Sequence, residues 1–130
     1  MKAVLDTNVL IRHLTGDPPG QARRATAFLA ASHKLLLADL VLAEMIYVLE
    51  SFYERPREEV ATVARSLLAF PSIAVTDPDV LVRAVEIYET ARIGFADAYV
   101  VATAERTGIR RVASFDRTID KVRTIRRVEP

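Results

Sequence analysis

The chain has 130 residues, enough for one ordinary domain that buries about two-thirds of its surface on folding. Apolar residues make up 51% of it and charged residues 27%, a composition that excludes disordered, collagen-like and acidic-tail proteins. With no cysteine and no apolar run near the ~20 residues that span a bilayer, disulfide scaffolds, thiolate metal sites and membrane helices drop out, and one cytoplasmic domain over residues 1–130 is expected.

In chain order, residues 2–5 read as a short strand and Val9 to Leu14 as a helix stopped by the turn-rich Gly16-Asp17-Pro18-Pro19-Gly20. A second helix spans Gln21 to Ala31, and the unbroken apolar run Leu35 to Ala38 reads as a fully buried strand. Asp39 is placed to cap a long helix from Leu40 to about Tyr53, and Pro56 to open another that runs to about Phe70. Ser72 to Val75 is the third strand, followed by Asp77 as N-cap, Pro78 at the first helical position and a helix from Val80 to Thr90. The helix Ala96 to Thr107 ends at Gly108, and Arg111 to Ser114 and Thr124 to Val128 supply two more strands. Strands separated by helices predict an α/β fold: a mostly parallel central sheet of about 4–5 strands with helices on both faces and sites at strand C-termini.

Four acids stand out against that frame. Glu44 is the one polar residue between Leu40 and Leu49, on a helix apolar around its circumference, which predicts burial and a need for a cation, a hydrogen-bond cage or a metal. A buried salt bridge to an arginine would also serve. Asp97 is alone in Gly-Phe-Ala-Asp-Ala-Tyr-Val-Val-Ala, where the helix dipole would equally favour an acid in the first turn. Asp6 follows the first strand, where it or Asn8 could simply cap a helix, and Asp116 follows the fourth, where it could be a turn residue. Four carboxylates from four separated segments with no interleaved lysine make an oxygen-only pocket suited to Mg²⁺ or Mn²⁺. His13 and His33 lack a partner motif and read as surface or helix-end residues.

The net charge of +1 conceals an asymmetry: residues 1–105 carry 10 basic and 14 acidic side chains, and residues 106–130 carry 8 basic and 3 acidic. A basic end of this kind is either a solvated tail or a landing surface for a polyanion.

Val-Leu-Asp-Thr-Asn-Val-Leu-Ile at 4–11, Leu-Ala-Glu-Met-Ile-Tyr-Val-Leu at 42–49, Phe-Ala-Asp-Ala-Tyr-Val-Val-Ala-Thr-Ala at 95–104 and Ser-Phe-Asp-Arg at 114–117 resemble, in order, the four acidic motifs of PIN-domain ribonucleases, and within them the VapC-type toxins of toxin-antitoxin pairs. The resemblance implies a metal-dependent endoribonuclease in which Asp6, Glu44, Asp97 and Asp116 hold Mg²⁺ or Mn²⁺, with Thr7, Asn8 and Ser114 as hydrogen-bonding support. Asp120 is an extra acid beside the fourth motif that competes with Asp116 for the role. The expected reaction is hydrolysis of RNA phosphodiesters to 5′-phosphate and 3′-hydroxyl ends, with Arg106, Arg110, Arg111, Arg117 and Lys121 as phosphate contacts. The resemblance further implies a homodimer and a small cognate antitoxin lying across the active-site groove; no membrane is expected as a partner, and the apolar helices Leu40 to Tyr53 and Arg57 to Phe70 offer either a docking surface for the antitoxin or simply core packing. The rival expectations are a housekeeping RNA-processing nuclease of the same fold and a catalytically silent RNA-binding or scaffold domain.

Overall fold

Among the described residues, six α-helices and five strands alternate along the chain, and every strand pairing is parallel, as the sequence predicts. The computed structural model describes residues 1–31 and 33–130. It divides into two compact units, Met1–Thr76 and Asp77–Pro130. No helix among the described residues is long and apolar enough to cross a membrane.

The first unit holds β1 (Lys2–Val4), α1 (Thr7–Thr15), α2 (Pro19–Ala30), β2 (Lys34–Leu36), α3 (Asp39–Ser51), α4 (Arg57–Leu68) and β3 (Ile73–Ala74). Its sheet runs in the order β1-β2-β3, so each crossover is a pair of helices. Gly16 ends α1 with φ at 72°, a left-handed residue where glycine carries no Cβ penalty. The register Val4↔Leu36↔Ala74 and the bond from Leu5 N to Leu36 O at 2.9 Å bring the chain to Asp6 at the carboxyl end of β1.

Four local expectations need correction. Leu35 and Leu37 are buried, but Leu36 is 42% exposed, so β2 alternates instead of being buried on both faces. The run of leucines masked this, because side-chain direction flips at each residue whatever the side chain is. Likewise α3 buries Leu42, Met45, Ile46 and Leu49 while Leu40 and Tyr47 stay 77% and 68% exposed. Asp39 is the first residue of α3 and not its cap, and Pro56 caps α4 and does not begin it.

The second unit holds α5 (Pro78–Thr90), α6 (Phe95–Thr107), β4 (Arg111–Ala113), a short 3₁₀ helix (Arg117–Lys121) and β5 (Arg126–Val128), with β4 and β5 pairing parallel. Asp77 caps α5 through Val80 N with Pro78 at the first position, as read from the sequence, and Gly108 ends α6 with φ at 76°. Leu81, Val85, Tyr88, Ala98 and Val101 are fully buried.

Arg83 of α5 forms a forked pair with Glu105 of α6, at 2.7 Å (Nε to Oε1) and 3.0 Å (Nη2 to Oε2), and Thr124 also donates to Glu105. The Arg83 bond holds the Glu105 carboxyl below its usual range against the opposing effect of burial, with Thr124 adding to it. A depressed acid stabilises the fold above its unfolded pKa near 4.5, and the contribution is lost as pH falls through the folded value. Glu105→Gln is therefore expected to cost about 1.5–3 kcal/mol at pH 7. Thermal melts of the two proteins should converge as pH falls from 4.5 through the folded value.

Candidate functional site

In the first unit Asp6 is the N-cap of α1, in extended conformation, with Oδ1 accepting from Thr7 N at 2.9 Å. Capping thus uses one carboxylate oxygen. Oδ2 has no hydrogen-bond partner among the described residues. Thr7 is 5% exposed, and its hydroxyl, next to that carboxylate, has no partner among the described residues. Asn8 is exposed and uses its main-chain carbonyl to accept from Arg12 at 3.4 Å.

Glu44 is exposed, not buried, and lies on the outward face of α3 with Leu40 and Tyr47. The expectation of burial failed because an all-apolar helix is buried all round only if something covers every face. Glu44 has no ion pair or hydrogen bond among the described residues, so it is neither half of a buried salt bridge nor otherwise engaged.

In the second unit Asp97 is the third residue of α6, half-buried, and Gly94 is the N-cap, where an added Cβ would sit 3.7 Å from Asp97 Oδ2. No lysine or arginine among the described residues pairs with Asp97. Its pKa is raised, chiefly because burial disfavours the charged form and further because Asp116 is negative. Desolvation here outweighs the favourable end of the helix dipole.

Asp116 caps the 3₁₀ helix, accepting from Thr118 N at 2.9 Å and from the Thr118 hydroxyl at 2.8 Å, and these bonds lower its pKa. Ser114 Oγ accepts from Asp116 N at 2.9 Å, so Ser114 supports the residue the sequence paired it with. Asp120 is instead joined to Arg127 at 3.0 Å. Of the two acids near the fourth motif, Asp116 is the one whose charge reaches Asp97.

Of the basic residues, Arg106 is engaged by Asp77 at 3.1 Å and Asp79 at 3.7 Å, and Arg110 donates to Thr124 O at 3.2 Å. Arg111, Arg117 and Lys121 are exposed and without ion pairs among the described residues. Arg111 sits in register with the equally exposed Arg126, so two like charges are neighbours across β4 and β5. His13 bonds Thr26 Oγ1 through Nδ1 at 2.8 Å and His33 stacks on Phe28, which gives both histidines structural partners.

Whether these residues suit a divalent ion can be tested on their chemistry. The charge of Asp116 reaches Asp97, no cation is paired to Asp97 among the described residues, the donors are all oxygen, and hard cations prefer such donors. Among the described residues no three His, Asp or Glu side chains are gathered as a ligand set. The donor chemistry fits Mg²⁺ or Mn²⁺.

Sequence reasoning missed the groove between α1 and α2, which Asn8, Arg12, Gln21, Arg24 and Phe28 help to line. The only signal was spacing: Asn8 and Arg12 are four apart, and Gln21, Arg24 and Phe28 are three and four apart.

A VapC ribonuclease from Aquifex aeolicus (strain VF5) is 28% identical over 122 residues, covering 92% of this chain and 90% of that protein. The family model described as PIN domain matches residues 3–125, and on that match, with the parallel α/β architecture in place, the chain belongs to the PIN domain family.

Proposed function

We propose that residues 1–130 act as a single PIN-domain endoribonuclease, the toxin of a VapBC-type pair, hydrolysing RNA phosphodiesters with the help of Mg²⁺ or Mn²⁺. The observation that carries this reading is the Asp97 carboxyl, half-buried, raised by desolvation and by Asp116, and without a paired cation among the described residues. The helix dipole alone would favour an acid in this first turn, but here burial and the Asp116 charge outweigh it. The similarity to a VapC ribonuclease over nine-tenths of both chains supports the same reading.

Asp6, Glu44, Asp97 and Asp116 are the residues assigned to hold the ion, with Asp6 and Asp97 contributing most. When bound, the metal lowers the pKa of a water and offsets charge developing on the scissile phosphate. The chain's own contribution is to orient the carboxylates. Thr7 N fixes Asp6 through Oδ1, and Thr118 together with Ser114 fixes Asp116. Arg111, Arg117 and Lys121 are free to meet phosphates, whereas Arg106 and Arg110 are partly committed to Asp77 and Thr124. A small antitoxin, held against the exposed apolar residues of α3, is the proposed partner, with an arginine reaching toward the acids; a homodimer and a cytoplasmic location complete the proposal.

The direct test is incubation of purified protein with total cellular RNA in Mg²⁺ or Mn²⁺ and in EDTA, with Asp6→Asn alongside. Discrete fragments that require metal and vanish in the variant are expected. Equal cleavage by both proteins, or none by the folded wild type, would count against the assignment. For the toxin role, expression alone should arrest growth and co-expression of the neighbouring small protein should relieve it.

A further inference from the structure

The α1–α2 hairpin carries three arginines, Arg12, Arg23 and Arg24, against a single acid, Asp17, in its loop. Between the two helices lies a groove of about 510 Å³, within the range of pockets that take a small ligand. Asn8 and Arg12 line it from one face of α1, and Gln21, Arg24 and Phe28 from one face of α2. No acid among the described residues pairs with Arg12 or Arg24.

Arg12 is held in place. Its Nε donates to Gln21 Oε1 and its Nη1 to Asn8 O at 3.4 Å. A guanidinium has five N–H donors in a fixed fork, so about three remain for a ligand. Arg24 has no partner among the described residues and keeps all of its donors. Phe28, stacked on His33 with ring centroids 4.3 Å apart, adds an aromatic wall, and Asn8 adds an amide. Two guanidinium groups without an acidic partner among the described residues suit a doubly or repeatedly anionic ligand. An aromatic beside them selects one that also carries a flat ring. Together they match a nucleotide unit of single-stranded RNA, whose phosphate the arginines take while a base rests on the aromatic.

Its position is equally specific. Asn8 follows Asp6 by two residues, and Arg12 lies about 9 Å further along the helix axis than the capping residue. We propose that the α1–α2 groove is a binding site for a single-stranded segment of the RNA flanking the bond to be cut, gripped by Arg12 and Arg24 and stacked on Phe28. This rests on the ribonuclease reading and adds to it a segment remote in sequence from the basic end at residues 106–130.

The test uses the full chain in EDTA, with a fluorescein-labelled 12-nucleotide single-stranded RNA of mixed sequence, and anisotropy measured from 50 to 300 mM NaCl. Arg12→Gln/Arg24→Gln is expected to raise Kd at least tenfold at low salt. It should also flatten the slope of log K against log salt by about 1.4, the share of two phosphate contacts on a single strand. Phe28→Leu should weaken single-stranded RNA several-fold and leave a duplex of the same sequence unchanged. Melting temperatures check that each variant is folded, and Arg24→Gln alone, at an exposed position, serves if the double variant is not. Wild-type Kd and salt slope in a folded variant would overturn the groove while wild-type binding and cleavage leave the ribonuclease reading standing. If the wild type neither binds nor cleaves RNA, both fall. If RNA binding is unchanged but a glutamate-rich peptide of similar length is lost, the groove belongs to an acidic protein segment and the proposal is overturned.

Discussion

Asp97→Asn is expected to raise the melting temperature at pH 7 and, in the same protein, to lower RNA cleavage about a thousandfold, or ~4 kcal/mol of transition-state stabilisation. The two effects have one cause. Burial and the Asp116 charge raise the Asp97 pKa in the folded state, so the fold binds that proton more tightly than the unfolded chain does. Stability is then lost as pH rises from the unfolded value of 3.8 through the folded one, and at pH 7 the wild type bears the whole of that cost. Asparagine has no charge to desolvate. Because Asp97 is only half-buried and water screens part of the effect, the gain should be about 1–3 °C, and it should disappear below about pH 3.8. Added Mg²⁺ should raise the melting temperature of the wild type and not of the variant, since an ion that binds only the folded state stabilises it by mass action. Calorimetry at pH 3 and pH 7, with and without metal, together with initial cleavage rates, reads all of this. A variant that melts lower and cuts normally would make Asp97 a purely structural first-turn acid.

Leu42→Ala should be among the most damaging truncations in the first unit, with a loss of about 2–5 kcal/mol out of the 5–15 typical of a domain. Leu42 is completely buried, on the inner face of α3 with Met45, Ile46 and Leu49. Removing three carbons there leaves a cavity that neighbours on a helix this regular fill poorly. Leu40→Ala, two residues away and 77% exposed, should change stability by less than about 0.5 kcal/mol. Urea unfolding of the pair reads the facing of α3 directly. A small effect at Leu42 with a large one at Leu40 would turn the helix round and put Glu44 inside.

That pair also marks the limit of what could be read from residue order. The element sequence was legible because strands, caps and breakers are local: Asp77 with Pro78, and Gly108 in its left-handed conformation, stand where the pattern places them. The facing of α3 was not, because with apolar residues on every side no periodicity distinguishes inner from outer. The buried-strand reading of Leu35 to Ala38 failed in the same way at Leu36. The 3₁₀ helix went unread since five residues show no period, although Asp116 with Thr118 two residues on is the pattern of a side chain capping a tight turn. The ion pair of Asp120 was not legible either, because only the return of β5 brings Arg127 to it. Apart from Asn8, the groove residues of α1 and α2 belong to no motif, and they meet only because the two helices pack.

The two motif acids of the second unit, Asp97 and Asp116, differ in what the fold gains from them. Asp116 holds its turn together through Thr118, while Asp97 is ionised at the expense of the folded state. A lineage released from the need to cut RNA would thus be drawn to replace the acid at 97 early, and would keep the one at 116 for reasons unrelated to chemistry. Among descendants of such a chain, a surviving acid at the fourth motif is poor testimony to a living enzyme. A surviving acid at the third, retained at a cost to stability, is good testimony.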